Sequence, residues 1–135
     1  MNRDWGFEKW QQVVNELKDD FVFFQSSFGK DKILQNVINL HNVNFRKSCA
    51  LLSNADLFIG IEGGMHHAAA ALNKKAVVIF GGFIHPSITG YDFHKNLYIE
   101  DEKSPCGLKD ECNHCQKCME LITVYDVKEA IIRLL

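Results

Sequence analysis

No apolar stretch of the sequence reaches the roughly 18 to 20 residues that a membrane-spanning helix needs. The start, MNRDWGFEKW, also lacks the basic and then apolar layout of a signal peptide. The sequence has no excess of positive charge either, because it contains 15 Lys and Arg residues and 17 Asp and Glu residues, for a net charge of −2. We therefore expect a soluble cytoplasmic protein without a membrane span and without a broad basic surface for nucleic acid.

Proline is scarce, with two residues, and nothing in the composition indicates more than one domain. A chain of 135 residues with 47% hydrophobic content can bury one good core but is too short for two domains of ordinary size. We expect a single domain over residues 1–135. Five cysteines would suit an exported disulfide scaffold, but four of them lie within 106–118 and an export signal is lacking. Metal binding or free thiols are therefore expected rather than disulfides.

The clearest structural pattern lies in the middle of the chain. Residues 56–61 (DLFIGI) predict a strand, Gly63 and Gly64 interrupt it, 66–72 (HHAAAAL) favour a helix, and 76–80 (AVVIF) predict a second buried strand. Strand, glycine turn, helix and strand within about 25 residues form a βαβ unit. Such a unit requires a parallel sheet with a right-handed crossover.

Further elements are predicted on both sides of this unit. The first of these is a helix capped by Asp4, with Trp10, Val13, Val14 and Leu17 on its apolar face. A strand buried on both faces over 21–24, a loop over 26–32 and a weaker strand over 37–40 follow it. The last element before the βαβ unit is a short helix with Phe45, Cys49 and Leu52 on one face. Towards the end they are a short strand over 97–99 and a helix capped by Thr123 with Val127, Ala130, Ile131 and Leu134 as its buried stripe. The whole predicts an α/β fold with a Rossmann-like, three-layer parallel sheet.

The glycine turn is the first candidate site, because ligands of open parallel sheets bind beyond the carboxyl ends of the strands. Gly63 and Gly64 let the backbone approach a ligand, and the free N–H groups of the first helical turn attract an anion such as a pyrophosphate. A phosphate would repel Glu62, so we expect this side chain to accept hydrogen bonds from sugar hydroxyls. The alternative is a tight turn whose glycines are chosen for packing.

Histidines next to this turn are weaker candidates. Adjacent residues at a helix start point about 100° apart, so at most one of His66 and His67 faces a ligand and the other packs or meets solvent. His85 lies in a loop at the same end of the sheet and could contact the same ligand. Lys74, Lys75, Tyr91 and Phe93 are expected to serve surface charge and core packing.

The segment LLSNADLFIGIEGGMHHAAAALNKKAVVIFGG resembles the signature of glycosyltransferase family 9, the ADP-heptose:lipopolysaccharide heptosyltransferases and their relatives. In this resemblance Glu62 stands at an Asp position, Gly63 at a Ser or Thr position, Gly64 at a glycine and His67 at a histidine. Three further segments, WGFEKWQQVVNEL, VINLHNVNFRKSCALLSNADL and CMELITVYDVKEAI, resemble other motifs of the family. The similarity therefore spans nearly the whole chain.

The resemblance implies the C-terminal, donor-binding half of a GT-B glycosyltransferase. It implies that backbone amides near Gly63, Gly64 and Met65 hold the pyrophosphate of a nucleotide sugar, with an ADP-sugar favoured, that Glu62 holds the sugar and that His67 belongs to the site. Glu in place of Asp, and Gly in place of Ser or Thr, indicate that the sugar need not be heptose. Lys75 stands where the family usually has proline.

By the same resemblance, an N-terminal domain that is missing from this sequence binds the acceptor and carries the catalytic base. The acceptor would be lipopolysaccharide or another bacterial surface glycan, and the transfer would be inverting. We therefore assign no catalytic residue, and whether the chain alone is an enzyme stays open. The resemblance also implies a first strand of the C-terminal domain just ahead of the helix that begins at Trp5; this strand is missing from the sequence, and the sheet edge that it leaves suggests a homo-oligomer or a partner. Peripheral association with the inner membrane is also left open.

Two other functions remain as alternatives. One is a metal-stapled, non-catalytic binding or scaffold module, which saturable nucleotide-sugar binding would exclude. The other is a sugar-nucleotide 2-epimerase, which shares the GT-B architecture and a glycine-rich helix start. Turnover of the sugar without an acceptor would favour the epimerase.

The cysteine cluster is the second candidate site, with four thiols within 13 residues at Cys106, Cys112, Cys115 and Cys118. Four thiolates at this spacing suit tetrahedral coordination of a structural zinc ion, which would pin a Cys-rich loop predicted over 103–118. An iron–sulfur cluster is an alternative, although no further cysteine with a following proline lies downstream. Free or disulfide-paired thiols are a third possibility, and His114 could replace one thiol. Cys49 is expected to be a small buried hydrophobe.

Overall fold

The structure is a computed structural model that describes residues 4–81, 84–99 and 113–135, with side chains from residue 116 onward in the last segment. The helices are α1 Phe7–Leu17, α2 Phe45–Ser53, α3 Gly64–Ala71, α4 Pro86–Thr89, α5 Asn113–Leu121 and α6 Val124–Leu134. The strands are β1 Phe24–Ser27, β2 Ile38–His41, β3 Leu57–Ile61, β4 Lys75–Ile79 and β5 Lys95–Leu97. The predicted α/β class is confirmed.

Every strand pair among the described residues is parallel, but the strands form two sheets. One has the order β1-β2 and the other the order β3-β4-β5. The predicted βαβ unit is β3, α3 and β4, in register from Leu57 beside Lys75 to Ile61 beside Ile79. The N–H of Glu62 donates to the Ile79 carbonyl at 3.0 Å, so the ladder continues to the residue before the glycine turn.

The three-stranded sheet lies between two helical layers, as predicted. Helix α6 packs on β4 and β5 and against α1 on one face, while α3 packs on β3, β4 and α2 on the other. Side chains of β4 alternate between the two cores, because successive strand residues point to opposite faces. The first core contains Trp5, Val13, Leu17, Val77, Ile79, Met119, Ile122, Val127, Ala130 and Ile131, and the second contains Leu52, Ala69, Ala76, Val78 and Phe80.

The predicted cap of the first helix is wrong. Helix α1 begins after Gly6, which has a φ of 111°, and no side chain caps it. The helix begins two residues later than a cap at Asp4 requires, and the Asp4 carboxylate accepts the N–H of Gly6 at 2.9 Å instead. Between them, the buried Trp5 donates its indole N–H to the Ile122 carbonyl at 2.8 Å, which fixes this turn to the end of the chain.

The apolar run over 21–24 was predicted to be a strand buried on both faces, and this is also wrong. Phe21 and Phe23 pack on the first core, but Val22 is 71% and Phe24 59% exposed. The strand itself is β1, which extends into the predicted loop as far as Ser27. A continuous apolar run normally indicates cover on both faces, and here only one face is covered among the described residues.

Of the predicted Cys-rich loop over 103–118, residues 103–112 lie outside the described part of the chain. Residues 113–118 form the first part of α5, so the loop prediction is wrong there. Met119 and Ile122 are buried at the end of this segment, and their anchoring in the first core favours a helix. Strand β2 agrees with the predicted strand over 37–40 to within one residue, and α6 begins directly after its predicted cap at Thr123, whereas Cys49 is only half-buried.

Candidate functional site

The glycine turn joins the carboxyl end of β3 to the start of α3. Helix geometry leaves the N–H groups of Gly64, Met65 and His66 without an acceptor inside α3. The helix dipole adds partial positive charge at the same point. Gly64 is exposed and Met65 half-buried, so an anion can reach the first of these amides from solvent.

Neither glycine of the turn is required by packing. A Cβ atom at Gly63 would meet nothing within 4 Å, and one at Gly64 would meet only the Phe45 ring, at an ordinary contact distance of 3.5 Å. The backbone of Gly63 is extended, with φ 160° and ψ −165°, and other residues adopt such a conformation. The interpretation of this turn as a packing device therefore loses its support. What the two glycines provide is open space in front of the helix amides.

His66 braces the turn from inside the protein. Its side chain is fully buried, Nδ1 lies 2.8 Å from the Gly63 nitrogen, and Nε2 lies 2.8 Å from the Thr89 carbonyl oxygen. Because a backbone N–H only donates, Nδ1 accepts and carries no proton; the ring is therefore neutral, and Nε2–H donates to Thr89. The N–H of Gly63 is thus already used within the protein, whereas those of Gly64 and Met65 have no acceptor inside α3.

The His67 ring lies against that of the buried His66, with the two centroids 4.0 Å apart, so the expected divergence of the two side chains is wrong. His67 is exposed, and its Nδ1 lies 2.7 Å from the hydroxyl oxygen of Tyr91. The Tyr91 ring also packs edge to face against both imidazoles, with centroid distances of 5.8 Å to His66 and 5.7 Å to His67. Tyr91, which the sequence assigned to packing, therefore orients the exposed histidine at the mouth of the site.

Glu62 lies beside these histidines and is buried, with 8% of its surface exposed. Potential metal-ligating atoms of Glu62, His66 and His67 lie within 4.8 Å of one another. Both ring nitrogens of His66 are engaged, however, so the trio does not offer three available ligands. The arrangement suits recognition of a polar organic ligand better than coordination of a metal ion.

Two polar side chains support the loop behind Tyr91, the half-buried Asn96 and the buried His94. Asn96 donates from Nδ2 to the Tyr91 carbonyl at 3.1 Å, and His94 donates from Nε2 to the Lys74 carbonyl at 3.1 Å. The Nδ1 atom of His94 is buried and has no hydrogen-bond partner in the described part of the chain. Burial lowers the pKa of His94 below its usual value of 6.5, and the hydrogen bond to the Lys74 carbonyl opposes this effect. His94 is therefore held as a neutral ring.

His85, a predicted ligand contact, is the N-cap of α4. Its Nδ1 accepts the N–H of Ser87 at 3.0 Å and lies 2.8 Å from the Ser87 hydroxyl oxygen. This cap accounts for a histidine at this position. Ligand binding by His85 stays a prediction.

Part of the cysteine cluster lies on α5. Cys115 and Cys118 are three residues apart in this helix, and Cys118 is only 2% exposed. Cys106, Cys112 and the side chains of His114 and Cys115 lie outside the described residues. Among the described helices, none is long and apolar enough to cross a membrane.

A parallel βαβ unit with open helix amides behind a glycine turn defines a Rossmann-like domain with a site suited to an anionic ligand. The family model of glycosyltransferase family 9 (heptosyltransferase) matches residues 2–121, and the chain belongs to this family. The resemblance noted in the sequence is thereby confirmed. A comparison with curated proteins finds no match.

Solved structures of E. coli proteins share this fold. The iron-containing dodecameric glycosyltransferase TibC from an enterotoxigenic strain matches with a TM-score of 0.78 and 18% identity, over 99% of this chain and 43% of that chain. ADP-heptose lps heptosyltransferase II matches with 0.73 and 16%, over 98% and 42%. Heptosyltransferase WaaC matches with 0.73 and 14%, over 100% and 40%. The chain thus spans about two fifths of the length of the structures it matches.

Proposed function

We propose that this chain is the donor-binding half of a family 9 glycosyltransferase and holds the pyrophosphate of a nucleotide sugar on the amides of Gly64 and Met65. The observation that carries the proposal is the open space at Gly63 and Gly64, where a side chain would fit without strain and none is present. An ADP-sugar is the favoured donor, because WaaC has been solved with ADP-2-deoxy-2-fluoro heptose and TibC with ADP-D-beta-D-heptose.

The sugar end of the donor would lie near Glu62 and His67. A buried carboxylate accepts hydrogen bonds from hydroxyl groups, and the exposed imidazole, held by Tyr91, can donate or accept another. The Gly63 amide would not bind the donor directly, because it is bonded to His66; its part is to fix the direction of the amides that follow.

The reaction would transfer a sugar from this donor to lipopolysaccharide or another bacterial surface glycan, with inversion. An inverting transfer requires a base within hydrogen-bond reach of the acceptor hydroxyl, in line behind the anomeric carbon. No catalytic residue is assigned within this chain. The acceptor site and the base would come from the part of a transferase that the matched structures contain beyond this match.

Calorimetric titration of the chain with ADP, UDP, GDP and an ADP-sugar tests the proposal, with Gly64→Asp as the variant and Gly64→Ala as its matched control. A carboxylate in the first turn interacts favourably with the helix dipole, so the melting temperature of Gly64→Asp should be at least that of the wild type. The same charge repels a pyrophosphate, and ADP affinity should fall more than tenfold, whereas Gly64→Ala should lose less. No binding of any nucleotide by the wild type would favour the scaffold module, and sugar turnover without an acceptor would favour the epimerase.

The cysteine cluster supports a second proposal, that Cys106, Cys112, Cys115 and Cys118 bind one metal ion in a structural role. Residues three apart on a helix lie on the same face, which suits Cys115 and Cys118 as neighbouring ligands. Four thiolates fit zinc, and an iron–sulfur cluster is the alternative. The TibC structure is described as iron-containing, which supports testing iron beside zinc. Such an ion would stabilise the fold rather than supply chemistry.

Elemental analysis of the purified chain, with an absorption spectrum, distinguishes these ions. One equivalent of zinc gives a colourless protein, whereas iron bound by thiolates absorbs visible light. Cys112→Ser should lose the metal, while Cys49→Ser, outside the cluster, should keep it. Equal and substoichiometric metal in both variants would leave the free-thiol or disulfide interpretation in place.

A further inference from the structure

Tyr91 and His67 share one hydrogen bond at the mouth of the site. The tyrosine lies between α4 and β5, the histidine lies in α3, and 2.7 Å separate the hydroxyl oxygen from Nδ1. Either the hydroxyl donates to a bare Nδ1, or a protonated Nδ1 donates to the hydroxyl oxygen. In a neutral ring the first arrangement leaves Nε2 as an N–H donor, and the second leaves it as an acceptor. The choice decides which ligand atoms the exposed histidine can bind.

The length of this bond indicates that the hydroxyl donates. Hydrogen bonds from O–H groups are most often about 2.7–2.8 Å long, whereas those from N–H groups to oxygen are most often about 2.9–3.0 Å long. The observed 2.7 Å agrees with an O–H donor. A bare imidazole nitrogen is also a better acceptor than a phenol oxygen, whose lone pair is partly delocalised into the ring. Nδ1 of His67 therefore carries no proton, and the proton of the neutral ring lies on Nε2.

The backbone around Tyr91 holds the hydroxyl in this place. The Tyr91 carbonyl accepts hydrogen bonds from the His94 N–H at 3.0 Å and from Nδ2 of Asn96 at 3.1 Å. The tyrosine ring is half-buried and packs edge to face on the His94 ring, with the centroids 5.4 Å apart. The folded chain therefore supplies most of the order that the hydrogen bond to His67 requires, and a ligand does not have to supply it.

The ring of His67 has little freedom of its own. It lies against the buried His66, with the centroids 4.0 Å apart and an angle of 35° between the planes. His66 is in turn fixed at both nitrogens, by Gly63 and Thr89. A 180° turn of the His67 ring would bring a carbon atom to the position of Nδ1, and the bond to Tyr91 would be lost. The same hydrogen bond therefore fixes both the orientation of the ring and the place of its proton.

We propose that Tyr91 is a positioning residue that keeps His67 in the Nε2–H form and thereby presents it to the ligand as a hydrogen-bond donor. This inference rests on the donor site proposed above and concerns what that site binds at His67. A phosphate oxygen only accepts hydrogen bonds, so a fixed N–H donor suits it. A sugar hydroxyl both donates and accepts and would not need a fixed form of the ring. His67 lies three residues after Gly64, on the same face of α3, so the ring and the first-turn amides would hold one pyrophosphate, the ring at the end that carries the sugar.

Nitrogen NMR of the ligand-free chain tests the position of the proton directly. Two-bond 1H–15N correlation at about pH 8, where an ordinary imidazole is neutral, distinguishes a protonated ring nitrogen from a bare one. We expect a protonated Nε2 and a bare Nδ1 for His67, whose signals are identified by their loss in His67→Gln. Tyr91→Phe removes only the hydroxyl and should move the two signals towards each other, because exchange between the two forms then averages them. The matched control Tyr125→Phe, which removes an exposed hydroxyl on α6, should leave them unchanged.

Calorimetry with ADP tests the consequence for the ligand. Tyr91→Phe should weaken ADP binding about two- to tenfold, because the ligand would then have to order the ring. His67→Asn removes the Nε2–H group and should weaken binding about fivefold or more. His67→Gln places an amide N–H near the position of Nε2 and should bind ADP more tightly than His67→Asn. Tyr91→Phe added to His67→Gln should have no further effect, since no imidazole remains to be positioned.

Three results would overturn the inference. The first is a protonated Nδ1 of His67 in the wild type, and the second is a set of ring signals that Tyr91→Phe does not change. The third is the same loss of ADP affinity from Tyr91→Phe in the wild type and in His67→Gln, because the tyrosine would then act on the ligand without the histidine. A wild type that binds no nucleotide would refute the proposed donor site, whereas the ring signals would still decide whether Tyr91 fixes the proton of His67.

Discussion

His66 fixes Gly63 through a hydrogen bond of 2.8 Å from the glycine N–H to the ring nitrogen Nδ1. The opposite nitrogen donates to the carbonyl of Thr89, the last residue of α4, so one buried ring holds both the turn and the helix end that leads to Tyr91. The position of the turn relative to Tyr91, the partner of the exposed His67, is therefore fixed by a buried residue that a ligand at the exposed amides need not touch.

Replacement of this ring should cost stability. His66→Phe keeps an aromatic ring but leaves the Gly63 N–H and the Thr89 carbonyl without their partner. A buried polar group that loses its hydrogen bond costs about 1–3 kcal/mol of stability. We expect a loss of about 2 kcal/mol or more in the free energy of unfolding, measured by urea titration. His67→Phe, at an exposed position, should change it by less than about 0.5 kcal/mol. Equal effects of the two substitutions would contradict the bracing role.

Gly63→Ala distinguishes open space from a packing device. The added methyl group meets nothing within 4 Å, and replacing glycine by alanine at a compatible backbone stabilises a protein by about 0.4–1 kcal/mol. Thermal melting should therefore show an unchanged or raised midpoint, while calorimetry should show weaker ADP binding. A clear drop in melting temperature would restore the packing interpretation of the turn.

His94 makes stability depend on pH. Its pKa is lowered in the folded chain, so the unfolded chain binds the proton more readily below the ordinary value of 6.5. The contribution of the neutral ring to stability is complete above pH 6.5 and is lost as the pH falls through the lowered pKa of the folded state. His94→Asn should reduce the difference in unfolding free energy between pH 7 and pH 5. His41→Asn, at an exposed histidine, should leave this difference close to that of the wild type.

Thr123 caps the last helix, and its removal should be measurable. The hydroxyl accepts the N–H of Asp126 at 3.1 Å, and the Asp126 carboxylate accepts the N–H of Thr123 at 2.9 Å. Thr123→Ala should cost about 1 kcal/mol in chemical denaturation, whereas Thr123→Ser retains the acceptor and should cost little. Similar losses in both variants would indicate that the threonine methyl group, and not the cap, stabilises α6.

The features that the sequence predicted depend on neighbours along the chain. The cap at Thr123 needs Asp126 three residues later, and the βαβ unit needs apolar runs on both sides of Gly63 and Gly64, so a local pattern suffices. The placement of these glycines before a helix likewise identified the candidate site. The family resemblance then supplied what local patterns could not, the kind of ligand.

The features that the sequence did not predict depend on distant contacts. His66 acquires its role from Thr89, 23 residues away, although its place three residues after Gly63 was a local signal for a hydrogen bond to the turn. The exposure of Val22 and Phe24 depends on which segments cover the sheet, and an apolar run carries no information about that. The division into two sheets follows from which strands find partners, which is a property of the assembled layer.

The bond from Trp5 to Ile122 joins residues 117 positions apart, and Lys9 reinforces it with its amine on the carbonyls of Glu120 and Ile122. Helix α1 therefore waits for α5 and α6, which are made long after it, to complete its packing. Contacts so distant along the chain slow folding, because a long loop must close before they form. During synthesis part of the apolar face of α1 remains uncovered until these two helices have been translated, and chaperones and proteases have access to it in that interval.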